Sequence, residues 1–144
     1  MEIPVRVLRP DATLPFYVHD GDAGCDLVAV ESRVLAAGGG RAMVPTGLAV
    51  AIPEGHGGFV LPRSGLAAKH GVTCINAPGL IDAGYRGEVM IALVNLDPTN
   101  DYEVKAGDRV AQLVVLPVPP AAFMVVDELP SATRGEGGFG SSGR

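Results

Sequence analysis

Val110-Ala-Gln-Leu-Val-Val-Leu116 is the most decisive stretch of the sequence for the fold, because apolar residues run through it almost without interruption. A second run, Val89-Met-Ile-Ala-Leu-Val-Asn95, has the same character. Nearly continuous apolar runs are typical of strands that are covered on both faces. A sandwich, a barrel or the interior of an oligomer would provide that cover. Gln112 interrupts the first run, and a buried glutamine needs a hydrogen-bond partner.

Shorter β-rich runs recur along the rest of the chain, and turn residues separate them. They cover residues 3–8, 27–30, 42–52, 59–61, 72–75 and 123–126. The 20 glycines and 12 prolines also indicate many short strands joined by turns. One short helix is predicted over residues 64–71, with Ser64 as its N-cap and Gly71 as its C-terminal stop. The sequence therefore predicts an all-β chain with one short helix.

Length and composition indicate one folded domain followed by an arm. A chain of 144 residues can bury roughly 70% of the surface of its unfolded state. No linker interrupts it before about residue 128, so we expect a β domain over residues 1–127 and a flexible arm over residues 128–144. The net charge of -5 gives no electrostatic reason to bind a nucleic acid backbone. No segment predicts export or a membrane span, so a cytoplasmic protein is expected.

The two cysteines, Cys25 and Cys74, belong to no C-x-x-C or mixed Cys/His cluster. We expect reduced thiols that pack as small hydrophobic groups.

The end of the arm, Arg134-Gly-Glu-Gly-Gly-Phe-Gly-Ser-Ser-Gly-Arg144, combines two arginines, an aromatic ring and two adjacent hydroxyls with five glycines. Glycine loses much backbone conformational entropy on ordering, so this segment should become ordered only when binding of a ligand compensates for that loss. A flat, anionic molecule such as a nucleotide has suitable chemistry. The sequence of the arm alone leaves a frayed chain end as an equal alternative.

Two other segments place charged residues where they could bind or react. Arg63 and Ser64 precede the predicted helix, and a helix N-terminus attracts anions. Asp82 lies between the apolar pair Leu80-Ile81 and a Gly-Tyr-Arg-Gly turn. A base, an aromatic face and a cation could therefore line one pocket there.

Five segments, in order and in residue detail, resemble the five motifs of the homotrimeric deoxyuridine triphosphatases (dUTPases) of bacterial type. They are Asp22-Ala-Gly-Cys-Asp-Leu27, Pro62-Arg-Ser-Gly-Leu-Ala67, Gly79-Leu-Ile-Asp-Ala-Gly-Tyr-Arg-Gly87, Gly107-Asp-Arg-Val-Ala-Gln-Leu113 and Arg134-Gly-Glu-Gly-Gly-Phe-Gly-Ser-Ser-Gly143. The resemblance implies a jelly-roll-like β-barrel or sandwich, in a homotrimer whose active sites are shared between neighbouring subunits. It also implies hydrolysis of dUTP to dUMP and pyrophosphate, which limits uracil incorporation into DNA and supplies dUMP for thymidylate synthesis.

The resemblance further implies roles for individual residues. Asp82 corresponds to the base that activates the water attacking the α-phosphorus, and Tyr85 to the ring that packs under the deoxyribose. The other implied substrate-binding residues are Gln112, the residues Arg63, Ser64 and Gly65 in a phosphate loop, Asn76, Leu80, Ile81 and Met90 in the uracil and sugar pocket, and Arg134, Phe139, Gly140, Ser141 and Ser142 on the arm. Magnesium is the implied cofactor, held mainly by phosphates and water. Asp26 and Gln112 would act on it through water, with no direct protein ligand.

Two alternatives differ in chemistry. A dCTP deaminase shares the Ile-Asp-x-Gly-aromatic-x-Gly segment but uses a glutamate on the following strand, where this chain has Ala92, which cannot transfer a proton. A catalytically silent nucleotide-binding trimer is the other alternative. The presence together of Asp82, Tyr85, Arg134 and Phe139 favours an active enzyme.

Overall fold

The structure, a computed structural model, describes residues 1–138. Within that range the chain forms eleven short strands and one helix. In chain order they are β1 (Val5–Val7), β2 (Cys25–Val28), β3 (Arg33–Leu35), β4 (Arg41–Pro45), β5 (Leu48–Val50), β6 (His56–Pro62), α1 (Ser64–His70), β7 (Val72–Cys74), β8 (Gly79–Ile81), β9 (Met90–Asn95), β10 (Tyr102–Val104) and β11 (Arg109–Pro117). The predicted all-β chain with one short helix is confirmed for the described residues.

Every strand pair is antiparallel, and the pairing brings distant parts of the sequence together. The largest sheet has the order β2-β11-β6-β8, and a second sheet has the order β4-β9-β7. Two further pairs, β1-β5 and β10-β3, complete the architecture. Because β11 lies between β2 and β6, it joins the first, second and fourth of the five sequence motifs.

The core lies between these sheets and is built from aliphatic side chains. Its largest fully buried members include Leu27 on β2, Leu35 on β3, Leu48 on β5, and Ile91 and Leu93 on β9. Burial of each such side chain stabilises the fold by about 1.5–3 kcal/mol. The core therefore fixes the ends of the strands, which carry the polar residues described below.

The two long apolar runs form β9 and β11, as predicted. On β9 every residue except Met90 is buried or half-buried. On β11, residues 110, 111 and 113 are buried, while Gln112, Val114 and Val115 are half-buried. Both faces of these strands are thus largely covered within a single chain.

Several predicted elements differ from the structure. Residues 123–126 form no strand, and Phe123 is 95% exposed. The backbone of residues 119–138 makes hydrogen bonds only within this segment, so a strand there has no partner among the described residues. The run 42–52 splits into β4 and β5 because Gly47 adopts a φ of +69°. The strands β3, β8 and β10 lie outside the predicted runs, and pairing with strands distant in sequence creates them.

The helix begins differently from the prediction. Arg63, with φ -85° and ψ 128°, occupies the N-cap position, and no side chain caps the helix. The prediction of Ser64 as N-cap is wrong, because β6 ends at Pro62 and the extended Arg63 is the last residue before the helical turn. Gly71 ends the helix as predicted, with a left-handed φ of 65°. No helix within residues 1–138 is long and apolar enough to cross a membrane.

Candidate active site

A cavity of about 280 Å³ lies between β8 and β9, and we call it the Tyr85 cavity. Its lining includes six residues that the sequence assigns to one site: Asn76, Leu80, Ile81, Asp82, Tyr85 and Met90. The strand β8 belongs to the four-stranded sheet and β9 to the three-stranded sheet. The cavity therefore forms where the loop between these two strands crosses from one sheet to the other.

The backbone of β8 gives this cavity polar groups that side chains do not supply. β8 is the edge strand of its sheet, so one side of its backbone pairs with no other strand among the described residues. Free main-chain N–H and C=O groups at an edge are ready to pair with a planar molecule. Such an edge suits the recognition of a nucleobase.

Tyr85 is held by the turn that it belongs to. Its N–H donates to the carbonyl of Asp82 at 3.0 Å, and its hydroxyl donates to the carbonyl of Glu88 at 2.9 Å. A Cβ atom at residue 87 would lie 2.4 Å from the Tyr85 hydroxyl oxygen, so only glycine leaves room for the ring there. The ring thus lies against Gly87 at the mouth of the cavity, with 45% of its surface exposed.

Asp82 directly follows β8 and begins the turn that holds Tyr85. It is exposed, and its carboxylate makes no hydrogen bond or ion pair within residues 1–138. Its backbone is fixed by the turn to Tyr85. A carboxylate in this state is free to accept a proton from a bound water molecule.

A second polar group, the Asp26 cluster, consists of Asp26, Arg63, Arg109 and Gln112. Arg109 Nη1 donates to Asp26 Oδ2 at 2.9 Å, and Gln112 Nε2 donates to Asp26 Oδ1 at 3.1 Å. Arg63 Nε lies 3.6 Å from Asp26 Oδ1. The pairing of β2 with β11 places Gln112 opposite Asp26, and the pairing of β6 with β11 brings Arg63 beside them. Gln112 therefore has the partner that its position in an apolar run demands.

The cluster compensates for the burial of one charge. Asp26 is 2% exposed, and a buried carboxylate is costly unless it is paired and hydrogen-bonded. Two arginines and an amide supply those partners. A carboxylate has about four lone-pair sites, so Asp26 retains capacity for water.

The residues at the start of α1, which the sequence predicts to bind anions, do not all face solvent. The Arg63 guanidinium faces the Asp26 cluster and donates to the carbonyl of Arg109 at 2.9 Å. Ser64 and Gly65 are exposed at the first turn of α1. Arg63 therefore belongs to the Asp26 cluster, while Ser64 and Gly65 remain open to solvent beside it.

Asp82 of the Tyr85 cavity and Arg63 of the Asp26 cluster lie near opposite ends of β6. Ile81, which precedes Asp82, pairs with Gly58, and Arg63 follows five residues later along the chain. At about 3.3 Å per extended residue, roughly 17 Å of strand separates them. One chain therefore does not bring the predicted base and the predicted phosphate loop together.

Of the binding residues predicted on the arm, Arg134 lies within the residues that the structure describes. Arg134 lies in a turn, where its Nε donates to the carbonyl of Gly137 at 2.7 Å. It does not line the Tyr85 cavity. The predicted binding residues Phe139, Gly140, Ser141 and Ser142 lie outside the described residues.

Two residues at these sites were missed by the sequence analysis. Glu88 lines the Tyr85 cavity, and its Oε1 accepts the N–H of Gly47 at 2.7 Å. Arg109 provides the closest cation to Asp26. The sequence does indicate both residues, because each is a charged residue immediately before one of the two apolar runs, where a loop meets a strand.

The two cysteines are free thiols, as predicted, and each adjoins one of these regions. Cys25 precedes Asp26, and Cys74 lies two residues before Asn76. Burial raises the pKa of the Cys74 thiol to about 11. Burial is also the main cause of the raised pKa of Cys25, whose Sγ donates to the carbonyl of Leu113 at 3.3 Å.

Comparison with known proteins agrees with this arrangement. The dUTPase family model matches residues 11–143. The deoxyuridine 5'-triphosphate nucleotidohydrolase of Thermobifida fusca is 54% identical over 99% of this chain and 79% of its own length. The dUTPase of Staphylococcus bacteriophage 80alpha, solved with dUPNHPP, has a TM-score of 0.92 at 32% identity, covering 99% of both chains.

A mutant dUTPase from phage phi11 of S. aureus, whose structure describes the coordination of a structural Mg(II) ion, has a TM-score of 0.81 at 30% identity, covering 91% of this chain and all of that one. These likenesses confirm the jelly-roll-like β fold predicted from the sequence. Since the family model and a relative at 54% identity both extend over nearly the whole sequence, the chain belongs to the dUTPase family.

Proposed function

We propose that this protein hydrolyses dUTP to dUMP and pyrophosphate at the Tyr85 cavity, with Asp82 as the general base. The observation that carries the proposal is that Asp82, Tyr85 and Asn76 line one cavity in a member of the dUTPase family. Nucleotidohydrolase relatives and a family structure with a dUTP analogue support this choice of substrate. The product dUMP then serves thymidylate synthesis, and removal of dUTP limits uracil incorporation into DNA.

The proposed mechanism uses groups that the cavity already positions. The edge backbone of β8, with Asn76, Leu80, Ile81 and Met90 around it, binds uracil and the sugar. Asp82 orients a water molecule and removes its proton during attack on the α-phosphorus, which requires hydrogen-bond reach between carboxylate and water. Pyrophosphate leaves with the electron pair of the broken P–O bond.

Sugar selection is assigned to Tyr85. Its ring lies against Gly87 and is tied to the Glu88 carbonyl, so it has little room to retreat. A 2′-hydroxyl on the bound sugar would meet this ring. Selection against UTP then follows from a steric clash.

The triphosphate is assigned to the other region and to the arm. Arg63, Ser64 and Gly65 would hold the phosphates beside the Asp26 cluster, and Arg134 would pair with the γ-phosphate. We assign Phe139 to stacking on uracil and Gly140, Ser141 and Ser142 to the terminal phosphates. A closing arm of this kind, over residues 128–144, would exclude water from the reaction.

Magnesium is the proposed cofactor, and the donor set favours an indirect site. Within residues 1–138 no group of three His, Cys, Asp or Glu side chains is arranged to hold a metal. Asp26 keeps lone pairs for water, and Gln112 lies beside it. Both residues would therefore contact waters of an ion that is held mainly by the phosphates, where it neutralises their charge.

We further propose a homotrimer in which neighbouring subunits share each active site. The separation of roughly 17 Å along β6 supports this, since Asp82 needs the phosphates within its reach. The exposed apolar residues Phe123, Met124 and Val125, which precede the arm, also have no cover within the described part of the chain. We also propose that the protein works in the cytoplasm.

The rival deaminase chemistry is not favoured by the cavity. Ala92 is among its lining residues, at the position where that reaction requires a glutamate. Alanine provides no group for proton transfer. Conversion of dCTP is therefore not expected.

Pyrophosphate release tests the proposal. The protein is incubated with dUTP, UTP, dTTP and dCTP, with and without magnesium, and its mass is measured in solution. We expect magnesium-dependent release that is fastest from dUTP, and the mass of a trimer. A folded trimer without dUTP hydrolysis would contradict the activity, and uracil nucleotides formed from dCTP would establish the deaminase instead.

A further inference from the structure

Residues 46–48, where β4 leads into β5, make three short hydrogen bonds to Glu88 and Val89, which follow the turn that contains Tyr85. Thr46 Oγ1 donates to the carbonyl of Val89 at 2.7 Å, and Val89 N–H donates to the carbonyl of Leu48 at 2.7 Å. Between them, Gly47 N–H donates to Glu88 Oε1 at 2.7 Å. Thr46, Leu48 and Val89 are buried, so this junction is a rigid part of the fold.

Gly47 is itself fixed in place. Its φ of +69° is left-handed, and a Cβ atom there would lie 2.8 Å from the Cβ of Ala12. Its carbonyl accepts the N–H of Leu8 at 2.8 Å. The Gly47 amide is therefore a stationary donor, and the Glu88 carboxylate that binds it is held as well.

The same residue, Glu88, also holds the Tyr85 ring. The Tyr85 hydroxyl donates to the Glu88 carbonyl at 2.9 Å. The Tyr85 side chain makes no other hydrogen bond within residues 1–138. Tyr85 is otherwise nearly half exposed, so packing alone does not fix its ring. The direction of one carbonyl thus decides where the hydroxyl end of the ring lies.

We propose that Glu88 is a positioning residue for sugar selection, an inference that rests on the proposed dUTPase activity. The Val89 N–H, bonded to Leu48, holds one side of the peptide whose carbonyl accepts the Tyr85 hydroxyl, and the Glu88 carboxylate, bound to Gly47, adds a second restraint at the Glu88 end of that peptide. The ring is thereby held where it meets a 2′-hydroxyl. Glu88 contacts neither the reacting phosphorus nor the attacking water in this arrangement, and it acts through Tyr85.

On this proposal the hydrogen bond between Glu88 and Gly47, rather than the negative charge of Glu88, positions the Tyr85 ring. Gln reaches Gly47 with an amide oxygen and carries no charge. Asp carries the charge but is one methylene too short to reach. Glu88→Gln and Glu88→Asp therefore separate the two properties, and Glu103→Ala, at an exposed glutamate on β10 outside the cavity, is the matched control.

The experiment measures kcat/KM for dUTP and for UTP in the wild type and in these variants. We expect Glu88→Asp to lower the dUTP-to-UTP ratio about tenfold, the effect of losing one hydrogen bond, mainly through a lower KM for UTP. Glu88→Gln and Glu103→Ala should keep the wild-type ratio. An unchanged ratio in Glu88→Asp, or an equal loss in Glu88→Gln, would overturn the proposal.

A double-mutant cycle with Tyr85→Phe adds a second criterion. That variant lacks the hydroxyl, so adding Glu88→Asp to it should cause no further loss of selection. Independent, additive losses would show that Glu88 does not act through Tyr85. Equilibrium binding of dUMP and UMP gives the same ratios without hydrolysis, so a protein that binds selectively but fails to hydrolyse dUTP would contradict only the proposed function.

Discussion

Asp82 and Asp26 are both motif aspartates at strand ends, yet their surroundings are opposite. Asp82 is exposed in the Tyr85 cavity, and its carboxylate has no partner within residues 1–138. Asp26 is buried and bound by Arg109, Gln112 and Arg63. An unpaired, accessible carboxylate can take a proton during a reaction, whereas a buried and paired one stabilises its surroundings. The two aspartates therefore separate proton transfer, at Asp82, from structural support, at Asp26.

The largest expected effect tests the chemical side of this division. Asp82→Asn should lower dUTP turnover by about 10²- to 10⁴-fold, because the amide cannot accept the proton of water. The unfolding free energy should change by less than about 0.5 kcal/mol, because no partner is lost. The experiment measures turnover, binding of a non-hydrolysable dUTP analogue, and unfolding in urea. Asp20→Asn, at an exposed aspartate, is the control. Equal losses in turnover and binding would place Asp82 in substrate binding instead.

Truncation tests whether the arm serves chemistry without serving the fold. A chain that ends at Thr133 should lose about 100-fold in kcat/KM, because the phosphate and base contacts proposed for the arm are absent. It should unfold at the same urea concentration, since no core residue is removed. Loss of the folded state on truncation would show that the arm is part of the architecture.

Asp26→Asn tests the architectural side. We expect a loss of about 2 kcal/mol in unfolding free energy, because the side chain no longer attracts Arg109 and Arg63. The arginines are partly exposed, so water limits the loss. Urea unfolding measures the effect, and Glu103→Gln is the control. If Asp26→Asn were as stable as the wild type, Asp26 would not have the structural role that distinguishes it from Asp82.

The smallest effect uses the two cysteines as reporters of the two regions. A raised pKa favours the neutral thiol, so Cys74, with its pKa of about 11, should react slowly at pH 8 and faster as the pH rises toward that value. Cys25 is half-buried and should react roughly tenfold faster than Cys74. Thiol labelling of Cys25→Ser and Cys74→Ser variants, referenced to the urea-unfolded chain, measures both rates. Faster labelling of Cys74 would reveal opening beside the cavity.

The sequence predicts the cavity better than the cluster, for a physical reason. Asn76, Asp82, Tyr85 and Met90 are close in sequence, so one loop and its flanking strands bring them together. The Asp26 cluster depends on the register of β2, β11 and β6, which local patterns do not encode. Arg109 was accordingly missed, and Ser64 was given a capping role that the extended Arg63 occupies. The strand predicted at 123–126 has no partner within the described chain to pair with.

The separation of Asp82 and Arg63 along β6 has a consequence for mixtures of defective chains. On the shared-site arrangement proposed above, the Tyr85 cavity and the Asp26 cluster of one chain serve different active sites. A chain without Asp82 and a chain without Arg63 would each be inactive alone. Reassembled together, they would rebuild sites in which one chain supplies the intact cavity and its neighbour the intact cluster, and activity would return by complementation.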